Sequence, residues 1–150
     1  MNDKSATDHD AQTPVTPDDV QAGEGAVAAL APLAARGLEV RRDVLGSAYA
    51  DGSMARAQGD AVAQDHQTLV NAYIWGAVWS REGLARKQRS TATITILALR
   101  GQTAELKLHL NAALKNGYTK PELQELFMHI GAYAGVPIAN YGLQLIDEMP

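Results

Sequence analysis

The chain has no cysteine, only one phenylalanine, and fewer basic than acidic residues. The missing thiols exclude a disulfide framework, a thiolate metal site and a cysteine nucleophile, and they leave the redox compartment open. Lys and Arg number 13 against 17 Asp and Glu, a net charge of -4. Nucleic acid and anionic membranes call for a basic face, so neither is an expected partner. Long apolar runs are missing as well. Nothing approaches the roughly 20 residues of a membrane span, and Pro32 interrupts the Ala/Leu-rich stretch from Ala26 to Ala35. The polar start MNDKSATDHDAQ lacks the basic-then-apolar order of a secretory signal, so a cytoplasmic protein is expected. What remains is 150 residues, 46% hydrophobic and 20% charged, which fits one soluble domain with a single sizeable core.

The first 36 residues are rich in Asp, Ala, Gly and Pro and hold little to build a core from. They are expected to form a flexible tail, with at most a short helix around Ala26–Leu33, ahead of a helical domain over residues 37–150. LEVRRDVLG predicts a short helix closed by Gly46, followed by a turn at Asp51-Gly52. From Asp60 to Trp79, Val62, His66, Leu69, Val70, Tyr73, Ile74 and Ala77 recur at three- and four-residue steps, the mark of a long helix. SREGL interrupts it, and a helix from Ala85 to Arg100 stops at Gly101. Its β-branched centre, TATITILAL, resembles a strand, but its length and basic flank favour a buried helix. Thr103 is the expected N-cap of a helix running to Asn116. Thr119 and Glu122 form a capping-box pattern with Pro121 in the first turn, opening a helix with Leu123, Leu126, Phe127, Ile130 and Tyr133 on one side. Gly135-Val136-Pro137 ends it, and a last helix runs from Ile138 to about Glu148. The expected fold is all-α, and helices apolar on more than one face fit burial in an oligomer and a thick monomer core equally well.

Glu105 and His109 lie four apart, on one face of a helix and one turn from each other. A carboxylate beside an imidazole can set the ring's tautomer, raise its pKa and prepare a proton donor near neutral pH; by spacing alone the pair also reads as an ordinary surface ion pair. His66 and His129 sit among apolar neighbours, as packed core histidines do. The four histidines show no metal-ligand spacing, and no metal is expected. Arg41 and Arg42 are adjacent, so they point to different sides of a helix, and one can face inward to bind an anion. Arg89 lies nearest the buried part of its helix and suits bidentate carboxylate binding. Trp75 and Trp79 supply apolar bulk.

Three segments together, VRRDVLG, NAYIWGAVWSREGLARKQRS and ELKLHLNAALKNGYTKPELQELFMHIGAYAGVPIANYG, closely resemble the carboxymuconolactone decarboxylase family over about 110 residues, Leu38 to Glu148. The resemblance implies a multi-helix orthogonal bundle of the alkylhydroperoxidase D-like type, assembled as a homo-oligomer, trimeric or hexameric. Redox relatives carry Cys-x-x-Cys-x-x-x-His; setting their His on His109 puts the cysteines at Gln102 and Glu105, where this chain has no thiol. That removes the peroxide-reducing chemistry of that branch. The decarboxylase branch keeps the His with Glu at the second position, as here. Two departures stand out. The family usually has an aromatic residue where this chain has His66, and a polar stretch where it has Ala61, Val62 and Ala63.

The resemblance further implies cofactor-free decarboxylation of 4-carboxymuconolactone to 3-oxoadipate enol-lactone in protocatechuate catabolism. The lactone carbonyl itself accepts the electrons released with CO2, so neither PLP, thiamine nor a metal is required. On this reading His109, held by Glu105, donates the proton. Arg42 (or Arg41 in its place) and Arg89 bind carboxylate, Tyr133 and His66 face the lactone oxygen, and Trp75 and Trp79 form an apolar wall. Two alternatives stay open: a decarboxylase or isomerase acting on another lactone or small acid, and a non-catalytic helical oligomer that binds a small acid.

Overall fold

The computed structural model describes residues 14–150, and every described element is helical. Helix α1 spans Pro17–Ala28, α2 Ala31–Leu45 and α3 Ser47–Arg56. Helix α4, Ala61–Leu69, runs on without a break into a π-helical segment, Val70–Trp79. Four more follow: α5 (Arg86–Leu99), α6 (Thr103–Lys115), α7 (Lys120–Ala134) and α8 (Val136–Asp147). None of these helices is long and apolar enough to cross a membrane.

Among the described residues of the stretch expected as a tail, Pro17–Ala28 form α1 and the chain from Ala31 onward belongs to α2. Thr16 opens α1 with a full capping box to Asp19, and Pro17 takes the first turn. No side chain of α1 is buried, so the helix carries no hydrophobic period that a sequence reading could detect. The domain boundary expected at residue 36 falls inside α2. The flexibility expected of residues 1–13 lies outside the described residues.

Two other expectations are corrected. Asp51 and Gly52 are helical, inside α3, rather than a turn. The chain reverses one step earlier, at Gly46, whose φ of 95° only glycine adopts readily. Asp51 then accepts a hydrogen bond from Arg42 Nε at 2.7 Å, which ties α3 to the end of α2. Thr103 is the first residue of α6 and not its cap; its hydroxyl accepts a hydrogen bond from Tyr141 at 2.7 Å. The capping box at Thr119 and Glu122 is present, and TATITILAL lies in α5, with Ile94 and Ala98 buried.

The core has two parts. Ile94, Leu106, Leu110, Leu123, Phe127 and Ile146 are fully buried where α5, α6, α7 and α8 meet. Val44, Leu45, Trp75, Trp79 and Ala112 form a second cluster among α2, the π segment and α6. Helix α6 serves both, through Leu106 and Leu110 on one side and Ala112 on the other.

The helix over residues 61–79 forms as expected but buries the opposite face. Tyr73 is 70% exposed, and Val62, His66, Leu69, Ile74 and Ala77 are exposed with it. The buried side is Asn71, Ala72, Trp75, Gly76 and Trp79. Those positions repeat every four residues, which matches the wider turn of a π-helix and not the 3.6 of an α-helix. Glycines explain the choice of face. A Cβ on Gly37 would lie 1.8 Å from the Asn71 carbonyl oxygen, and one on Gly76 would lie 2.6 Å from that of Leu33. Helix α2 and the π segment therefore touch backbone to backbone, and only the side bearing small residues permits this approach.

Candidate active site

His109 projects from α6 toward the tryptophans of the second cluster. Its ring is half-buried and lies roughly parallel to the Trp79 indole, with centroids 6.3 Å apart; Trp79 in turn packs on Trp75 at 5.1 Å. Burial pushes the His109 imidazole below its ordinary pKa, and the negative charge of Glu105 opposes this without reversing it. Among the described residues, no hydrogen bond joins Glu105 to His109, and Glu105 itself is exposed. The expected raising of the histidine's pKa is therefore corrected. Desolvation against the apolar wall outweighs one solvated carboxylate a turn away, so burial favours the neutral imidazole.

The two adjacent arginines diverge as their spacing requires. Arg42, expected to bind carboxylate, is already engaged: its guanidinium meets Glu39 at 2.5 Å and Asp51 at 2.7 Å on the surface. Arg41, the alternative, is only 6% exposed. Its Nη1 donates to Gln67 Oε1 at 2.9 Å and to Asn71 Oδ1 at 3.1 Å, while its Nε is buried with no acceptor. Tyr49 lies under the guanidinium, 5.6 Å from ring centre to charge. Burial lowers the Arg41 pKa and Tyr49 offsets part of that; a guanidinium nonetheless remains charged.

Arg41 lines a cleft of about 330 Å³ between α2, α3 and α4, together with Tyr49, Arg56, His66 and Gln67. His66 thus faces this cleft. Val70 also lines it and packs against the cluster that contains Trp75 and Trp79. Glu105 and His109 are not among the residues lining the cleft.

Two expected contacts fall elsewhere. Arg89 Nη2 donates to the Arg81 carbonyl at 2.8 Å, and its Nε is buried without an acceptor. Tyr133 is 84% exposed and stacks on His129, with centroids 4.9 Å apart, beside a separate groove between α5 and α7. Among the described residues, no group of three or more His, Asp or Glu could hold a metal ion.

Sequence reasoning missed Gln67, Asn71, Tyr49 and Arg56. The first two lie one turn apart and outside the apolar series Val62, His66, Leu69, Val70, Tyr73, Ile74 and Ala77. Tyr49, Ser53 and Arg56 share one face of α3, a helix hidden by the turn signal at Asp51-Gly52. Their three- and four-residue spacing was the available clue.

A family model described as the carboxymuconolactone decarboxylase family matches residues 64–148. The chain is 41% identical over 114 residues to 4-carboxymuconolactone decarboxylase of Acinetobacter baylyi, covering 76% of this chain and 84% of that protein. It is also 39% identical over 101 residues to nitrosuccinic acid decarboxylase npaB of Metarhizium robertsii, covering 67% of this chain and 69% of that protein.

Proposed function

The chain belongs to the carboxymuconolactone decarboxylase family, and from that premise we propose that it is a carboxy-lyase converting 4-carboxymuconolactone to 3-oxoadipate enol-lactone in the protocatechuate pathway. The observation that carries this reading is the half-buried His109 against the Trp79 and Trp75 wall, with Glu105 one turn before it.

The reaction needs no cofactor, because the substrate is its own electron sink. The bond from the γ-carbon to its carboxylate breaks. The electron pair passes through the ring double bond into the lactone carbonyl, giving a dienolate and CO2. A proton then adds at the α-carbon. His109 supplies that proton. Burial disfavours its charged form in the free protein, and an anionic substrate beside it restores its basicity by the same electrostatics through which a carboxylate favours imidazolium. Glu105 acts in the same direction through its charge. The indoles leave the departing carboxylate poorly solvated. Arg41 holds substrate carboxylate in place of Arg42, and His66 faces the substrate from the cleft. The mechanism leaves out Arg89 and Tyr133.

The working unit is a cytoplasmic homo-oligomer, a trimer or hexamer of alkylhydroperoxidase D-like orthogonal bundles. The exposed apolar face Leu69, Tyr73, Ile74 and Val78 supports this, since a monomer has no use for such a stripe.

The test is loss of the lactone's ultraviolet absorbance with His109→Ala and Glu105→Ala, folding being checked by circular dichroism. His109→Ala is expected to lower kcat by at least about 100-fold, the usual worth of a positioned acid. Near-wild-type kcat in both variants overturns the assignment. A second reading, an acyclic nitro acid as substrate, is favoured by the relative named for nitrosuccinic acid and by His66 in place of the usual aromatic. Turnover of nitrosuccinate by folded protein that leaves the lactone untouched selects it.

A further inference from the structure

We propose that the cleft between α2, α3 and α4 is a carboxylate subsite, built on Arg41 and Arg56, that holds the carboxylate a small dicarboxylate substrate retains after losing the other as CO2. This rests on the decarboxylase reading and names the class of substrate it admits.

The first support is the state of Arg41. At 6% exposure Arg41 is almost wholly buried, yet its partners are two neutral amides and the face of the Tyr49 ring, none of them an anion, and Nε has no acceptor. Among the described residues it meets no carboxylate. Buried charges are ordinarily paired, because an uncompensated ion in a low-dielectric site is costly. The neighbouring Arg42 shows the ordinary case, with two carboxylates on one guanidinium. At Arg41 the anion is the missing component.

The second support is the charge of the walls. Arg56 and His66 line the same cleft, and no Asp or Glu does. Arg56 donates to Ser53 Oγ at 3.1 Å, a neutral partner, and is near enough to Arg41 to disfavour its charge. Two like charges held at one opening, in a chain of net charge -4, describe a site that is complete only with an anion. A volume of about 330 Å³ suits a small organic acid.

The third support is chemical. 4-Carboxymuconolactone bears its leaving carboxylate on a carbon that also carries a carboxymethyl group. Nitrosuccinic acid, named as the substrate of the other relative, is a butanedioate. Both contain a succinate unit, in which one carboxylate leaves and the other stays two carbons away; they differ in the electron sink. Val70 lines the cleft and also packs against the cluster that holds Trp75 and Trp79, so one side chain is common to the anion subsite and to the core around the apolar wall. A retained carboxylate on Arg41 and a departing one against indole is the division the reaction requires.

Succinate is the probe. Calorimetric titration of the full chain is expected to show binding of succinate but not of its neutral isostere succinamide. Arg56→Gln, at an exposed position, is expected to weaken succinate by about ten- to a hundredfold, the worth of one charged hydrogen bond. Arg41→Gln is expected to do the same or more, with Arg41→Lys recovering part of the loss. With 4-carboxymuconolactone, Arg56→Gln is expected to raise KM with little change in kcat. The proposal falls if wild type does not bind succinate at millimolar concentration, if succinamide binds equally, or if Arg56→Gln and Arg41→Gln leave succinate affinity unchanged. Should neither the lactone nor nitrosuccinate be turned over while the succinate pattern holds, the decarboxylase reading fails and the subsite stands.

Discussion

At the scale of single residues, the properties of this protein follow from which charges are solvated and which are not. His109 is the clearest case. Its pKa is lowered by burial, so the unfolded chain takes up a proton before the folded one as pH falls. Stability is therefore expected to decline as pH drops below the ordinary imidazole range, about 6.5, and to level off below the lowered folded value. Urea denaturation at several pH values checks this; His109→Gln should flatten that part of the profile. The two arginines make the complementary case. Arg42→Ala removes only exposed ion pairs, so a cost of under about 1 kcal/mol and an unchanged KM are expected. Stability and steady-state assays of that variant separate it from Arg41, whose neighbour in sequence it is. Glu122, hydrogen-bonded by Lys87 and the Thr119 backbone, has its carboxyl lowered to about 2 and remains ionised through ordinary acid conditions. Neither the depth of Arg41 nor the pairing of Arg42 with Asp51 was legible in the dipeptide, because both depend on α3 and α4 folding back against α2.

At the scale of elements, close helix contacts govern what can be changed. Gly37 lies where α2 crosses the π segment, with no room for a Cβ. Gly37→Ala is expected to cost about 3 kcal/mol or more, the upper range for overpacking, because backbone rather than a side-chain end must move. Gly25→Ala, inside α1 and facing open space, is expected to be neutral or to stabilise by up to about 1 kcal/mol through helix propensity. Thermal melts of the pair measure the contrast. Thr119→Ala should lose about 1 kcal/mol, since the hydroxyl caps the Glu122 amide of α7. Caps and stops were readable because they act over three or four residues. The face of residues 61–79 was not: VNAYIWGAVW is apolar all round, so a periodicity reading has no polar side to set the phase. The decision fell to Ala72 and Gly76, which are small enough for the helices to touch.

For the whole molecule, the apolar surface left uncovered is the main consequence. Tyr73→Glu together with Ile74→Glu is expected to shift the proposed homo-oligomer toward monomer, read by sedimentation, while the far-ultraviolet dichroism stays helical; their side chains contribute nothing to either core cluster. The sequence by itself determined the all-helical class, most helix ends, the family, and the pairing of Glu105 with His109 on one turn. These depend on local spacing, capping and the order of short motifs, all of which are linear properties of a chain. Only the tertiary structure decided that the tryptophans and His109 share one wall, that Arg41 rather than Arg42 faces a cleft, and that burial lowers the His109 pKa. Those outcomes depend on desolvation and on contacts between helices distant in sequence, and neither can be computed from neighbours along the chain. Glu105 and His109 are thus a pair in sequence whose electrostatic balance was set by a tryptophan thirty residues upstream.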